Sequence, residues 1–393
     1  MGCGDDAVGA GVDAALEATI AEAGDAADAD AGLADATVVP KGARVLGVSV
    51  VIGDLDFLRN VQTARDAGAR TTNVTFAWDE IERPYDAGAP DASDDGGGGD
   101  GDGGDGGDAG PARSPTQVFH PLLHVANLVL SDQRVAATVT IDALDVGGSR
   151  APAELATLAF DDPELVTRYD RVLDYALDQL PDLDVSALFV ASSVDVSLGD
   201  DAAKHAAFET FFTNAAAHVH ALRPKVRVGF VVTSDGAVTR KDRLAAAWAA
   251  SDVIGVTYLP IDAASRVKPA AEVPAAVAAD LDRLVAALPA GKPIVVREAG
   301  YPTAALNGGD EAGQAAFVSA VFDAWDRQAT RIPILTFREL VDSDPTTAAA
   351  IAARHGRSDP AFLAFLQSLG LQTADRAKPG EGALIRASRA RGF

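Results

Sequence analysis

Carboxylates, hydroxyls and aromatic rings collect at a few points of this chain, each directly after a short β-branched run. The points are Trp78-Asp79-Glu80-Ile81-Glu82, Asp142, Ser192-Ser193-Val194-Asp195, Tyr258, and Arg297-Glu298-Ala299-Gly300-Tyr301. Side chains of these types carry proton transfer and nucleophilic attack when a fold brings them to one place. Other chemistries lack their residues. No Gly-x-Ser-x-Gly elbow and no Walker loop occurs, so serine-hydrolase and nucleotide-hydrolase readings have no support. His120 and His124 stand four apart, the spacing of a zinc pair on a helix, but Pro121, Leu122 and Leu123 between them supply no glutamate base and no third ligand is apparent. His218 and His220 point to different helix faces. With one cysteine, Cys3, neither an internal disulfide nor a Cys-based zinc site can form. The expectation is a site without metal or cofactor.

The partners that composition excludes are equally definite. The chain has 393 residues and 33 basic against 57 acidic side chains, a net charge of −24. Nucleic acid binding needs a basic stripe that displaces counterions, and there is none. Anionic lipid surfaces are disfavoured for the same reason. Hydrophobic residues make up 48% of the chain but aromatics only 6%, which predicts an aliphatic core. No stretch approaches the roughly 20 apolar residues that span a bilayer.

The elements that must position these side chains alternate. Short β-branched runs lie at Val45–Val51, Thr71–Ala77, Val135–Ile141, Leu188–Val194, Val226–Val232, Val253–Tyr258, Ile294–Arg297 and Ile334–Phe337. Amphipathic stretches separate them, among them Leu55–Ala67, Val118–Leu130, Pro163–Gln179, Ala202–Leu222, Ala275–Leu288 and Gln314–Gln328, with apolar residues three and four apart. Near-continuous apolar strands belong in a parallel sheet covered on both faces, and eight βα units predict a closed (β/α)8 barrel. A doubly wound open sheet would want a Gly-rich first turn, whereas the turn here is Val51-Ile52-Gly53-Asp54-Leu55. In a barrel the working residues stand at the C-terminal strand ends, where those side chains fall.

Two segments have too little to bury to offset the entropy of ordering. Residues 1–40 read as an acidic flexible tether. Residues 85–115 read as a disordered insertion after the second strand, with ten Gly and six Asp between Asp94 and Gly110. The barrel is expected over 41–372, and 373–393, carrying Arg376, Lys378, Arg386, Arg389 and Arg391, as a solvated basic tail. The start Met1-Gly2-Cys3 followed by acidic linker resembles that of a bacterial lipoprotein, which implies lipidation at Cys3, a membrane contact through that anchor alone, and a place in a bacterial cell envelope.

A more specific resemblance lies in the barrel. Lys292-Pro-Ile-Val-Val-Arg297-Glu298-Ala-Gly-Tyr301-Pro is similar to the seventh strand of retaining glycoside hydrolases of the (β/α)8 clan that includes cellulases and endo-β-galactanases. Trp78–Pro84 resembles their W-x-x-I-E-P turn after the second strand, and Ser251–Pro260 their sixth strand. Phe362–Leu371 resembles the closing helix and turn of some members. The resemblance implies two carboxylates about 5 Å apart, a nucleophile on strand 7 and an acid/base on strand 4. Glu298 holds the nucleophile's position. Where the family has Asn-Glu, in a segment like I-G-N-E-V-D, this chain has Ser192-Ser193-Val194-Asp195.

A serine hydroxyl cannot serve as the acid near neutral pH, and losing that acid costs roughly 10²- to 10⁴-fold. Asp195, Asp142 and Glu80 are the carboxyls near enough in sequence to substitute. Asp195 matches an Asp that already follows the family's Glu by two. Trp78, Tyr258 and Tyr301 offer rings for stacking on sugar faces, and Arg297 stands as a neighbour of Glu298. Three readings result: an impaired, glycan-binding relative; an active retaining β-glycosidase with a relocated acid; and a non-catalytic scaffold.

Overall fold

A computed structural model describes residues 38–84 and 116–393. Cys3, residues 1–37 of the expected tether and the whole expected insertion 85–115 lie outside the described residues. Eight parallel strands close a barrel: β1 Val45–Val48, β2 Thr71–Ala77, β3 Ala136–Asp142, β4 Val185–Phe189, β5 Val228–Thr233, β6 Val253–Tyr258, β7 Ile294–Ala299 and β8 Ile334–Phe337. Each pairs with its neighbours in sequence, and β1 closes on β8 through Val45 opposite Ile334. The outer ring is α1 Phe57–Asp66, α2 Pro121–Asp132, α3 Pro163–Asp178, α4 Ala202–Leu222, α5 Lys241–Ala250, α6 Val273–Ala287, α7 Glu311–Arg327 and α8 Pro379–Arg391. The (β/α)8 expectation holds strand by strand.

The barrel interior is layered as strand alternation requires. Ala187, Phe189, Val231, Val253, Val295 and Ile334 pack as one apolar layer. Gly255 leaves room for Phe189, whose ring atom would stand 2.8 Å from a Cβ placed there. Toward the C-terminal end the filling turns polar. Asn73 donates to Ser49 Oγ (2.9 Å), Thr138 donates to Asn73 Oδ1 (2.6 Å), and the Arg297 guanidinium reaches Thr75 Oγ1. This polar layer is the floor of the functional face.

Two expectations need correction. The fourth strand, expected at Leu188–Val194, is β4 and ends at Phe189. Val190 and Ala191 stay buried, but Ser193 takes a left-handed φ of 49° and caps a short helix Val194–Leu198. Apolar sequence alone does not distinguish a strand from the buried turn that follows it. The second correction is the tail. Residues 379–391 form α8, which closes the helical ring between α7 and the end of α1. Leu384 is fully buried, and Ser388 Oγ donates to Ala67 O at 2.8 Å.

The basic residues that suggested a solvated tail are partly structural. Arg391 pairs with Asp323 (2.9 Å) and Asp326 (2.8 Å) of α7, and Arg44 meets the same Asp326 at 2.6 Å. All but Asp323 of these side chains are under 8% exposed. The guanidinium groups also lie over rings, Arg44 on Trp325 and Arg391 on Phe322.

Removing the shared anion takes from Arg44 its ion-pair partner and leaves Arg391 with Asp323 alone, which costs ~3–5 kcal/mol. Asp326→Ala is therefore expected to unfold at much lower denaturant than the natural protein. Arg376→Ala, which breaks the exposed Arg376–Glu311 pair, should leave the midpoint nearly unchanged. Equal effects of the two in urea unfolding would refute this ranking.

Candidate functional site

A cavity of about 710 Å³ opens at the C-terminal ends of the strands. Its floor and walls come from the positions that strand-end reasoning singles out: Asp142 at the end of β3, Ser192 and Ser193 after β4, Arg297 and Glu298 on β7, with Glu80 near the rim. Two short helices, Pro345–Arg354 and Pro360–Leu366, form one side of it. Each opens with an Asp cap followed by Pro, Asp344-Pro345 and Asp359-Pro360, which fixes its start. Their apolar faces pack together through Ala348, Ala352, Phe362 and Phe365, and this subassembly sets Arg354, His355 and Arg357 beside the cavity.

Glu298 reaches the cavity because β7 is irregular. Val256 pairs with Val296, but the next residue of β6, Thr257, pairs with Glu298, so β7 holds one extra residue. A bulge of this kind re-aims side chains, and here Arg297 and Glu298 both line the cavity. Arg338, just after β8, holds Glu298 Oε2 at 2.7 Å, and Arg297 stands 3.5 Å from Oε1. Burial alone would raise the Glu298 pKa. The charges of Arg338 and Arg297, with the Arg338 hydrogen bond, outweigh it and hold the carboxyl below its ordinary value. Glu298 is thus an ionised carboxylate at neutral pH.

Asp142 behaves oppositely. It is 5% exposed, Oδ2 accepts from Ser192 Oγ at 3.1 Å, and Oδ1 is buried without a partner. Burial pushes its pKa up to about 7, against the opposing pull of Arg297 and of the Ser192 hydrogen bond. One cavity therefore holds a carboxylate and a carboxyl that keeps its proton to near neutrality, the separation by environment that assigns acid and base roles.

Other expected site residues have structural duties. Asp195 is 2% exposed, accepts from Thr233 N (2.8 Å) and Oγ1 (2.6 Å), and is not among the residues that line the cavity; it ties the turn after β4 to β5. Glu80 is held at the rim by Arg354 at 3.0 Å, with Arg150 at 3.6 Å.

The aromatic residues do not converge on the cavity. Trp78 is fully buried, its Nε1 donating to Glu82 Oε2 at 2.8 Å and its ring edge meeting Tyr169. Tyr258 and Tyr301 are each 2% exposed and pack on Phe317, with hydroxyls bound to Asp280 and to Lys268 O. Sequence marks their places at strand ends but not whether the ring points into the barrel or out toward the helices. Phe76, Phe362 and Phe365 line the cavity instead.

His120 contributes to the cavity wall and packs against Phe76, whereas His124 is exposed on α2. His218 pairs with Asp174 and His220 with Asp252. Among the described residues no group of three or more metal-ligating side chains occurs, and none of their helices is long and apolar enough to cross a membrane. Arg338 and Glu339 were reachable by the strand-end rule, since they follow Phe337 directly. Arg354, His355 and Arg357 were not, because nothing in their local sequence says that the helices beside them fold back over the barrel.

No protein-family model matches the chain, and no curated protein does. Solved structures do. The barrel is similar to a GH5_18 from Bifidobacterium longum subsp. infantis at 13% identity and TM-score 0.58, covering 88% of this chain and 78% of that one. It is similar to a GH5_18 from Streptomyces cattleya, solved in complex with GlcNAc, at 15% identity and TM-score 0.60, covering 89% and 80%. The GH53 catalytic domain of Ignisphaera aggregans matches at 15% identity and TM-score 0.55, covering 91% and 98%. At these identities the superpositions show a shared fold: the chain is a (β/α)8 barrel with the architecture of these solved structures.

The raised Asp142 pKa has a consequence for stability. Between about pH 4 and about 7 the native state holds a proton that the unfolded chain has released, so stability falls as pH rises through that window and then levels. Asp142→Asn removes this contribution. The melting temperature of the variant should change less between about pH 5 and about pH 8 than that of the natural protein; identical pH dependence in the two would contradict the assignment.

Proposed function

We propose that this protein is a saccharide-binding, glycoside-hydrolase-like barrel in which Glu298 keeps the nucleophile's role and the direct strand-4 acid has been lost. The observation that carries the reading is the pairing of an ionised, arginine-held Glu298 with Ser193 in one open cavity. A carboxylate whose Oε2 is committed to Arg338 still offers Oε1, which Arg297 approaches only to 3.5 Å. Attack on an anomeric carbon needs that oxygen and a leaving group able to depart. Ser193 itself gives the leaving group no proton, so glycosides with poor leaving groups depend on a less direct acid and react more slowly than they would with a carboxyl at that position.

The cavity supports a saccharide in its chemistry. Arginines, carboxyls and serines offer donors and acceptors for hydroxyl groups, and Phe76, Phe362 and Phe365 supply apolar area. The solved neighbours include a GH5_18 in complex with GlcNAc. The N-terminal Gly2-Cys3 sequence supports a lipid anchor in a bacterial envelope as the setting for this activity.

Aryl β-glycosides with activated leaving groups need little protonation, so they isolate the nucleophile. The natural protein is expected to form a glycosyl-enzyme with dinitrophenyl glycosides of a panel of sugars, seen as a mass increase, and Glu298→Ala to form none. Ser193→Glu should speed glycosides with poor leaving groups by roughly 10²-fold or more. A folded natural protein with no adduct, no turnover and no sugar-dependent change in melting temperature would transfer the barrel to the scaffold reading.

A further inference from the structure

The carboxyls that line the cavity differ in how their charge is compensated. Glu80, Asp145, Glu298 and Glu339 each have an arginine within ion-pair distance. Asp142 has none among the described residues. Its Oδ1 is sealed from solvent, and its Oδ2 accepts from the hydroxyl of Ser192, 3.1 Å away, which lines the cavity beside it. Ser192 directly precedes Ser193, the residue in the missing acid's position. A carboxyl on β3 thus reaches, through one hydroxyl, the edge of the cavity from which a strand-4 acid would act.

We propose that Asp142 is the proton donor of this site, acting through the Ser192 hydroxyl on the oxygen that leaves an anomeric carbon facing Glu298. This rests on the preceding reading, that a saccharide sits beside Glu298. In the first step Glu298 Oε1 forms a bond to the anomeric carbon as the glycosidic C–O bond breaks. Ser192 gives its proton to the departing oxygen and takes the one from Asp142 Oδ2, leaving an Asp142 carboxylate, a glycosyl ester and a free alcohol. In the second step water attacks the anomeric carbon and the ester bond breaks. The water's proton returns through Ser192 to Asp142, and Glu298 is again a carboxylate.

The groups that face Asp142 allow this cycle. Burial raises its pKa to about 7; Arg297 of β7, Ser192 after β4 and Arg150 oppose the shift, and Asp145 adds to it. Tyr169 of α3, behind the site, directs its hydroxyl to the backbone carbonyls of Ile141 and Val190. The acid is protonated below about 7 while Glu298 is already ionised, so both forms that the step needs coexist in mildly acidic solution.

The test compares kcat/KM for two aryl glycosides of the same sugar, one with a phenyl and one with a dinitrophenyl leaving group, across pH. For the phenyl glycoside the natural protein should lose activity about tenfold per pH unit above about pH 7. Asp142→Asn should abolish that alkaline limb and lower the rate by roughly 10²-fold or more, while dinitrophenyl turnover stays within about tenfold. Ser192→Ala should do the same, and Ser192→Thr should retain the limb. Added azide, an anionic nucleophile that has no proton to give up in the second step, should raise kcat for the dinitrophenyl glycoside in Asp142→Asn and yield a glycosyl azide.

An unchanged alkaline limb in Asp142→Asn, or equal slowing of both substrates in a variant whose melting curve is normal, would overturn the proposal and leave the Glu298 reading intact. Absence of dinitrophenyl turnover, of a glycosyl-enzyme and of any sugar-dependent change in melting temperature in the natural protein would overturn both.

Discussion

A guanidinium stays inside a parallel barrel only if its neighbours are polar or anionic, because a buried charge without partners costs several kcal/mol. Arg297 meets that condition through residues on several strands. Its side chain reaches Thr75 on β2 and approaches Glu298 beside it, while its backbone carbonyl accepts from Asn73. The polar layer of Asn73 and Thr138 follows from the same need, since apolar substitutes there would leave the Arg297 carbonyl and guanidinium short of partners. The apolar layer below it fills the barrel, and the cavity above it takes its charge pattern from the same residue. Arg338 completes the arrangement from β8. Two guanidinium groups hold one carboxylate, and the carboxylate is what makes them tolerable at that depth.

The left-handed residue Ser193 marks the other boundary of the site. β4 ends at Phe189, and its chain then passes through Val190 and Ala191 into a turn secured by Asp195, which binds Thr233 across the gap to β5. Gly236 is required there because a Cβ would collide with the Asp195 carboxylate. The turn is thus built around Asp195 as a structural anion. That leaves Ser192 and Ser193 facing the cavity with hydroxyls only. The carboxyl bonded to them comes from the end of β3, where Asp142 accepts from Ser192.

The fold was legible because a parallel sheet covered on both faces writes its strands as apolar runs, and all eight appear in the order expected. Boundaries failed where burial outlasts the ladder, as at Val190 and Ala191. The last helix was missed because its sequence is rich in arginine, and its acidic partners, Asp323 and Asp326, lie more than sixty residues away in sequence. In the site, Asp142, Ser192, Ser193, Arg297 and Glu298 were legible from their positions at strand ends. The three aromatics were not, because the direction of a ring at a strand end depends on register and on partners such as Glu82, Asp280 and Lys268 that sequence does not associate with them. Nor was the role of Arg338, which exists only because β8 ends beside the β7 bulge.

Arg297 also couples the two carboxyl groups on the proposed route. With Glu298 ionised, part of the positive potential of Arg297 is cancelled, and Asp142 keeps its proton to about pH 7. When Glu298 becomes a neutral ester, that cancellation ends, and the full charge of Arg297 acts on Asp142 through a low-dielectric interior where such interactions are strong. The Asp142 pKa then falls, which favours release of its proton during ester formation. Once water attacks and Glu298 regains its charge, the Asp142 pKa rises again and the carboxylate accepts the proton. An acid on β3 is suited to this cycle because it shares Arg297 with the nucleophile. On the proposed route the bulge that adds Arg297 to β7 does more than aim Glu298: it supplies the cation through which the state of one carboxyl sets the proton affinity of the other.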